Sequence, residues 1–357
     1  PLDGTAAGIF SYNGNVYVAC IPHIWLLKDT NDDGVSDSRK SIQDGFGVRI
    51  SLSGHDLNGF ALGPDGRIYA TIGDRGFNIK TKEGKHYAYP DQGAILRFEP
   101  DGSNMEVFQT GLRNPKEIAF DQFGNPITVD NNSDQGDQAR IVYLMEGADA
   151  GWTMDHQVMH TFNREAGFKK RPINRWMQEQ MWQPLTAKNK HIQPAYILPP
   201  LMNLTNGPSG LTYHPGPLSY PGKQGHFLIS DYKGAPERSR IHSFAVTNDG
   251  AGMRVTDNYI FNDGVAVTDL EYGYDGKIYV TDFIEGWATK NQGRVYTLTR
   301  KGTQNNSTIK SVKNLITKNF TKISDTHLVS LLKHPDMRIR LRAQYTLANA
   351  KKISLLE

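Results

Sequence analysis

Four short stretches hold residue types that can do chemistry, and each sits at the end of an apolar run. They are Gly54-His55-Asp56-Leu57-Asn58-Gly59, Ile72-Gly73-Asp74-Arg75-Gly76, Gly111-Leu112-Arg113-Asn114-Pro115 and Val129-Asp130-Asn131-Asn132-Ser133-Asp134. A histidine can take a proton from a substrate hydroxyl, or can serve as a structural hydrogen-bonder. An arginine offers a fixed fork for carboxylates or polarised carbonyls, and Arg113 suits either such a ligand or an acid of a neighbouring unit. The oxygen-rich run from Asp130 through Asn131 and Asn132 to Asp137 fits a cation, a sugar or an Asx-rich turn. Asp74 and Arg75 stand at the end of a strand, as do Lys233 in Ser230-Asp231-Tyr232-Lys233-Gly234 and Asp282 in Val280-Thr281-Asp282-Phe283. By its position before a strand, Asp269 matches His55-Asp56.

A fifth stretch is sharper locally. Asp29-Thr30-Asn31-Asp32-Asp33-Gly34-Val35-Ser36-Asp37 places oxygen donors at alternate positions: Asp29, Asn31, Asp33, the Val35 carbonyl and Asp37. Gly34 permits the tight turn, and such a set suits a hard cation such as calcium, with a structural role in stiffening a hairpin. Lys40 stands where a closing bidentate glutamate would complete an EF-hand, and a solvated acidic turn is the alternative.

The elements that must position these residues recur. A turn, a glycine and a β-rich run appear at Asn13-Gly14-Asn15-Val16, Asp65-Gly66-Arg67-Ile68, Phe123-Gly124-Asn125-Pro126, Gln224-Gly225-His226-Phe227 and Asp275-Gly276-Lys277-Ile278. Their glycines lie 52, 58, 101 and 51 residues apart, and a period near 50 with several short strands per unit is the signature of a β-propeller. The 101-residue gap reads as one unit plus an insertion between Trp152 and Pro200. A second set supplies the next strand of each unit: Ile24–Leu27, Ala94–Phe98, Arg140–Leu144, Ile241–Val246 and Arg294–Leu298. The expectation is an all-β propeller of six-bladed type over residues 1–300, with five units visible and one N-terminal blade preceding Pro1. A polar linker follows at 301–308.

From 309 to 357 the period changes to that of helices, with Ile309, Val312, Leu315 and Ile316 on one face, then Leu328, Leu331 and Leu332. Beyond His334-Pro335-Asp336 the next helix carries Ile339, Leu341, Ala343, Tyr345 and Leu347, the texture of a partial HEAT-like repeat. Asp325 or Ser324 can cap the middle helix. One such repeat cannot bury its own face, so it packs on the propeller or continues in a longer parent.

Bulk properties exclude several classes. The formal charge is +3 on 40 basic and 37 acidic residues, which gives no nucleic-acid footprint. No apolar run approaches eighteen residues, so a membrane-spanning helix is not expected. The single cysteine, Cys20, lies in an apolar strand and reads as a packed thiol. There is no CxxCH, GxSxG, GxGxxG or zinc spacing.

The motifs at Gly54-His55-Asp56, Gly63–Tyr69, Ile72–Gly76, Gly111–Pro115 and Asp130–Ser133 together resemble the soluble glucose/sorbosone dehydrogenase superfamily. Those are six-bladed propellers carrying pyrroloquinoline quinone (PQQ) and calcium. Within it the sequence looks most like the membrane-associated or secreted dehydrogenase-like proteins of planctomycetes, in which HEAT repeats and often a C-terminal cytochrome c domain follow. The resemblance covers about residues 5–300 and 309–350. It implies that His55 is the base with Arg113 beside it in catalysis, that Asp74, Arg75, Arg113 and Asn114 contact the cofactor, and that Lys233 is a cofactor-binding lysine. It also implies that Asn131, Asn132 and Asp137 belong to the loop holding calcium near the quinone. The chain departs from the pattern at Ala266-Val267-Thr268, where the quinone enzymes carry two arginines on cofactor carboxylates.

The resulting expectation is an extracytoplasmic oxidoreductase that oxidises a sugar or polyol and passes electrons to a cytochrome c, with any haem outside this chain. Two alternatives stay open: a calcium-stabilised propeller that binds carbohydrate or a protein, and a calcium-dependent hydrolase or lactonase.

Overall fold

The computed structural model describes residues 6–47, 54–132, 138–154, 198–288, 292–303 and 306–355, together with Leu2 and Gly4. Among the described residues five sheets follow one another along the chain, antiparallel except for one short edge strand. The first is β1 (Gly8–Tyr12), β2 (Asn15–Cys20), β3 (His23–Lys28) and β4 (Ser38–Asp44), paired in that order. The second opens with β5 (Leu57–Leu62) and β6 (Ile68–Ile72). It leaves for a hairpin of β7 (Phe77–Lys80) and β8 (His86–Tyr89), then returns as β9 (Gly93–Phe98) and β10 (Glu106–Leu112). The third pairs β11 (Pro115–Phe120), β12 (Pro126–Asp130) and β13 (Arg140–Tyr143). Two short strands complete these sheets: β14 (Ala148–Asp149) runs parallel to β10, and β15 (Met202–Asn203) pairs with β13.

The fourth sheet is β16 (Pro208–Tyr213), β17 (His226–Asp231), β18 (Arg240–Asp249) and β19 (Gly252–Asp263). The fifth is β20 (Val267–Tyr272), β21 (Lys277–Asp282) and β22 (Arg294–Thr299). The fold class is that of the β-propeller, these sheets being its five blades. Each turn-glycine motif opens the second strand of a sheet and each member of the second set is the third strand, so the sequence periodicity corresponds to one sheet per repeat. The first strands carry no such motif.

Two compact units are present: Pro1–Ala119 with Asn125–Pro208 and Asp249–Arg254, and Phe120–Gly124 with Ser209–Asn248 and Val255–Glu357. In the first unit, sheets meet through glycines on their first strands. A Cβ on Gly8 would lie 1.9 Å from the Asn58 carbonyl, and one on Gly59 would lie 2.5 Å from the Lys116 carbonyl. No side chain fits there, so β1 closes on β5 and β5 on β11 at backbone distance. Thr71 seals the second junction, accepting the Gly59 N–H at 2.9 Å and donating to the Lys116 carbonyl at 3.0 Å. The core of this unit gathers Tyr17, Ile24, Phe46, Leu57, Ile68, Ile72, Phe77, Leu96 and Phe98.

The second unit uses the same device, with Gly210 of β16 against Asp269 and Leu270 of β20. Asp269 lies inside β20, not ahead of it as the sequence pattern suggested, and its carboxylate accepts the N–H of Leu270. This unit also holds helices α1 (Ser307–Ile316), α2 (Asp325–Leu331) and α3 (Met337–Asn349), capped by Asn306, Ser324 and Asp336. Val312, Leu315, Phe320, Leu328, Leu331, Ile339, Ala343 and Leu347 form a cluster of their own. Leu341 and Tyr345, expected on the same face, are only half-buried, because a 3.6-residue period carries them off the 339/343/347 line.

The helical segment also packs on the fifth sheet. Ile309 enters the cluster of Tyr220, Val267, Leu270 and Ile278. Arg338 donates to the carbonyls of Tyr272 and Gly273 and to the Tyr220 hydroxyl, while Asp336 holds its other edge. Among the described residues no helix is long and apolar enough to cross a membrane.

Between these parts lies His214, 1% exposed and edge-on to Tyr220 and Tyr272. Its Nδ1 accepts the Gly216 N–H at 3.2 Å. Burial pushes its pKa down to about 4, with Arg338 and His226 adding repulsion against a hydrogen bond at Tyr220 and the charge of Asp336. The ring is therefore neutral in the fold while the unfolded chain gains a proton below the ordinary histidine value. Stability is intact above that value and falls as pH drops toward 4, by roughly 1.4 kcal/mol per pH unit and about 3 kcal/mol in all. Urea unfolding of the second unit should show this slope in the native chain, and His214→Gln should flatten it.

Candidate functional site

The first unit brings His55, Asp74, Arg113 and Trp152 together, and strand register explains how. The last ladder pair of β5 and β6 at this end is Leu57 opposite Ile72. Continuing the pairing two residues outward sets His55 opposite Asp74. His55 Nδ1 lies 2.8 Å from Asp74 Oδ1, the histidine side chain 16% exposed and the carboxylate 3%. An ionised carboxylate only accepts, so Nδ1 is the donor of this bond and Nε2 is turned to the far edge of the ring. The other oxygen of Asp74 accepts the indole N–H of Trp152 at 2.9 Å, and Trp152 is fully buried.

Arg113 joins this pair from the start of the third sheet. Its carbonyl accepts the Asp74 N–H at 2.6 Å, and its guanidinium carbon lies 5.7 Å from the centre of the Trp152 ring. Its own backbone is held by Asp130, which ends β12. The Asp130 carboxylate, fully buried, accepts the N–H groups of both Arg113 and Asn114. It also takes the guanidinium of Arg140, its direct cross-strand partner on β13. Arg140 continues to the carbonyls of Ala150 and Gly111 and so fixes the approach to Trp152.

The remaining sequence-derived residues fall as follows. Arg75 lies beside the site with its guanidinium 3.4 Å from the buried carboxylate of Asp56. Asn114 is buried, and its side-chain oxygen accepts from Asn58 at 3.1 Å. Asn131 and Asn132 follow Asp130 directly, with Asn131 Oδ1 accepting the Asn132 N–H at 2.9 Å; Asp137 lies outside the described residues, as does most of the insertion. Lys233 belongs to the second unit, where its ammonium pairs with the buried Asp231 at 3.0 Å. Asp282, also in the second unit, ends β21 and accepts the N–H of Ile284 at 2.6 Å.

The Asp29–Asp37 stretch connects β3 and β4. Asp29 accepts the N–H groups of Asn31, Asp32 and Gly34, while Asn31 and Asp33 accept those of Asp33 and Val35. Asp37 accepts the hydroxyl and N–H of Thr30, bonds that hold its carboxyl below the usual range. Among the described residues, no three His, Cys, Asp or Glu side chains converge as a metal cluster.

Three participants carried no signal strong enough to find alone. Trp152 marks the edge of the insertion, far in sequence from Asp74. Arg140 reads as the first residue of an ordinary strand. Lys116, directly after Arg113-Asn114-Pro115, donates to the Gly54 carbonyl and, at 3.1 Å, to Asn58. Loss of water pushes the pKa of this amine down to about 8, Asp56 opposing and Arg113 and Arg75 reinforcing. The adjacency of a third polar residue to the Arg-Asn-Pro motif was the available cue.

A profile for a family described as a domain of unknown function, DUF7133, matches residues 4–292. The chain belongs to this family. None of the curated proteins matches it. Several solved structures are similar. The PQQ-bound aldose sugar dehydrogenase of Streptomyces coelicolor is 17% identical over 83% of this chain and 80% of its own, with a TM-score of 0.52. An oxidoreductase of Thermus thermophilus, described as a glucose dehydrogenase, is 17% identical over 80% and 79%, with a TM-score of 0.52. A further glucose dehydrogenase reaches a TM-score of 0.56 at 13% identity over 84% and 83%. At such identities these likenesses carry the fold alone.

Because Asp130 satisfies two backbone donors and a guanidinium at once, its loss leaves the Arg140 charge buried without its partner. Asp130→Ala is expected to destabilise the first unit by about 3–5 kcal/mol, read as a lower urea midpoint at unchanged slope.

Proposed function

We propose that the chain is a sugar dehydrogenase-like oxidoreductase acting on the hydroxyl of a sugar or related polyol. One observation carries this reading: a partly exposed histidine with Nδ1 on a buried aspartate that a buried tryptophan also holds. Such a pair presents Nε2 as a proton acceptor in a fixed orientation. The S. coelicolor relative is a PQQ-bound sugar dehydrogenase, and the motifs around His55 and Arg113 resemble that class.

The donors fit an anionic planar cofactor in kind. The Arg113 guanidinium is buried against an indole, Arg75 adds a second positive charge, and Asn114 adds an amide. Arg113, Asn114 and Arg75 would hold pyrroloquinoline quinone, and the bound quinone supplies the two-electron acceptor. His55 takes the substrate hydroxyl proton at Nε2. Asp74 fixes the tautomer and steadies the imidazolium that forms, and Trp152 keeps Asp74 from turning away. Calcium would be held by Asp29, Asn31, Asp33, the Val35 carbonyl and Asp37, where it stiffens the β3–β4 connection. A second ion in the Asn131-Asn132-Asp137 loop, a cytochrome c as acceptor and an extracytoplasmic setting complete the reading. The helical segment reads as part of a HEAT-like array, as in the planctomycete proteins that the sequence resembles.

A second reading is favoured by Ala266, Val267 and Thr268, which offer no positive charge where the quinone enzymes carry two arginines. It is a propeller that binds carbohydrate without turnover. The two separate in one assay. Reconstitution with PQQ and calcium should give sugar-dependent dye reduction, and His55→Ala should lower kcat by about 10²–10⁴-fold. Sugar binding by calorimetry without any dye reduction would leave only the binding propeller.

A further inference from the structure

The base in the site above is carried by a short segment whose two flanks end on the same amine. Lys116 Nζ donates to the carbonyl of Gly54, immediately before His55, and to the side-chain oxygen of Asn58, three residues after it. Gly54 has φ +66°, a left-handed turn that a side chain would strain. Asn58 is buried and ties onward to Asn114 Oδ1 at 3.1 Å and the Pro115 carbonyl at 2.9 Å. The backbone of Lys116 is itself fixed, since its carbonyl takes the Thr71 hydroxyl and faces Gly59. The amine therefore reaches back from a rigid strand to close a loop around His55 and Asp56.

We propose that Lys116 is the positioning residue for His55, its ammonium clamping Gly54 and Asn58 so that the imidazole stays seated on Asp74. This rests on the reading of His55 as the base. An ammonium suits the task because it offers three donors and can serve a backbone carbonyl and a side-chain oxygen at the two ends of one segment at once. Lys116 does not touch substrate in this assignment; it acts through the segment it holds.

The composition of the chain supplies a clean test. Cys20 is the only cysteine, so in a Cys20→Ala background the thiol introduced by Lys116→Cys is the single one and is alkylated with 2-bromoethylamine in urea before refolding, with incorporation confirmed by mass. This rebuilds a lysine-length ammonium. The readout is the downfield Nδ1 proton resonance of His55 in the full chain labelled with ¹⁵N-histidine, identified by its disappearance in His55→Ala. In the native chain Asp74→Ala should abolish that resonance. Lys116→Cys should abolish it too, aminoethylation should restore it, and dye reduction should fall on the order of tenfold in kcat with KM little changed.

A resonance that persists in folded Lys116→Cys overturns the assignment. A loss that aminoethylation fails to reverse also overturns it, since the ammonium was then not what mattered. A resonance indifferent to Asp74→Ala overturns the His55–Asp74 reading and takes Lys116 with it, whereas sensitivity to Asp74 without sensitivity to Lys116 sinks Lys116 alone. If Lys116→Cys does not fold, Lys116→Gln offers a shorter arm without charge. Its resonance should weaken, and an unchanged one refutes the clamp.

Discussion

The cross-strand pair of Asp130 and Arg140 is the constraint on which the first unit's site depends. Both side chains are almost wholly removed from water. A charge pair in that position is costly to bury and stays only where every remaining donor and acceptor is used. Here the carboxylate also accepts the N–H groups of Arg113 and Asn114, and the guanidinium donates two further bonds, to the carbonyls of Gly111 and Ala150. The pair thus converts electrostatic necessity into geometry. It fixes the Arg113 backbone, whose carbonyl fixes Asp74, and it fixes the turn that delivers Trp152 to the other side of the same aspartate.

Much of the fold was legible because turn chemistry is local. Five turn glycines mark the five second strands, and the runs that follow mark the third strands. The first strands gave a weaker signal, since three of them meet their neighbours through Gly8, Gly59 and Gly210. A glycine needed for a close approach reads in a sequence as a weakness in a strand, not as its purpose. The helical segment was legible from its period, but its docking was not. Whether Arg338 holds a sheet carbonyl or a solvent molecule depends on contacts more than sixty residues away.

The site was legible in part for the same reason. His55 and Arg113 could be placed at strand starts, and the pairing of His55 with Asp74 follows once the β5–β6 register is known. A further regularity shows only when the ladders are drawn. Asp130 faces Arg140, Asp231 faces Arg240 and Asp282 faces Arg294, each aspartate ending a second strand and each arginine opening a third. The repeated position has been used differently. In the third sheet it is a buried ion pair. In the fourth, Asp231 turns to Lys233 and His242. In the fifth, Asp282 caps the N–H of Ile284 while Arg294 donates to Tyr296. A shared scaffold position has diverged in its partners while keeping its residue types, which is why reading Lys233 from sequence alone missed the acid that it serves.

Trp152 has one more property that follows from where it lies. Its indole is shut away from water, hydrogen-bonded to the acid behind His55 and overlaid by the Arg113 guanidinium. Fluorescence from such a ring responds to charge along its long axis more than to solvent. Trp152 is one of five tryptophans in the chain, so only its own share of the emission can follow a change in the charge of Asp74 or in the place of Arg113.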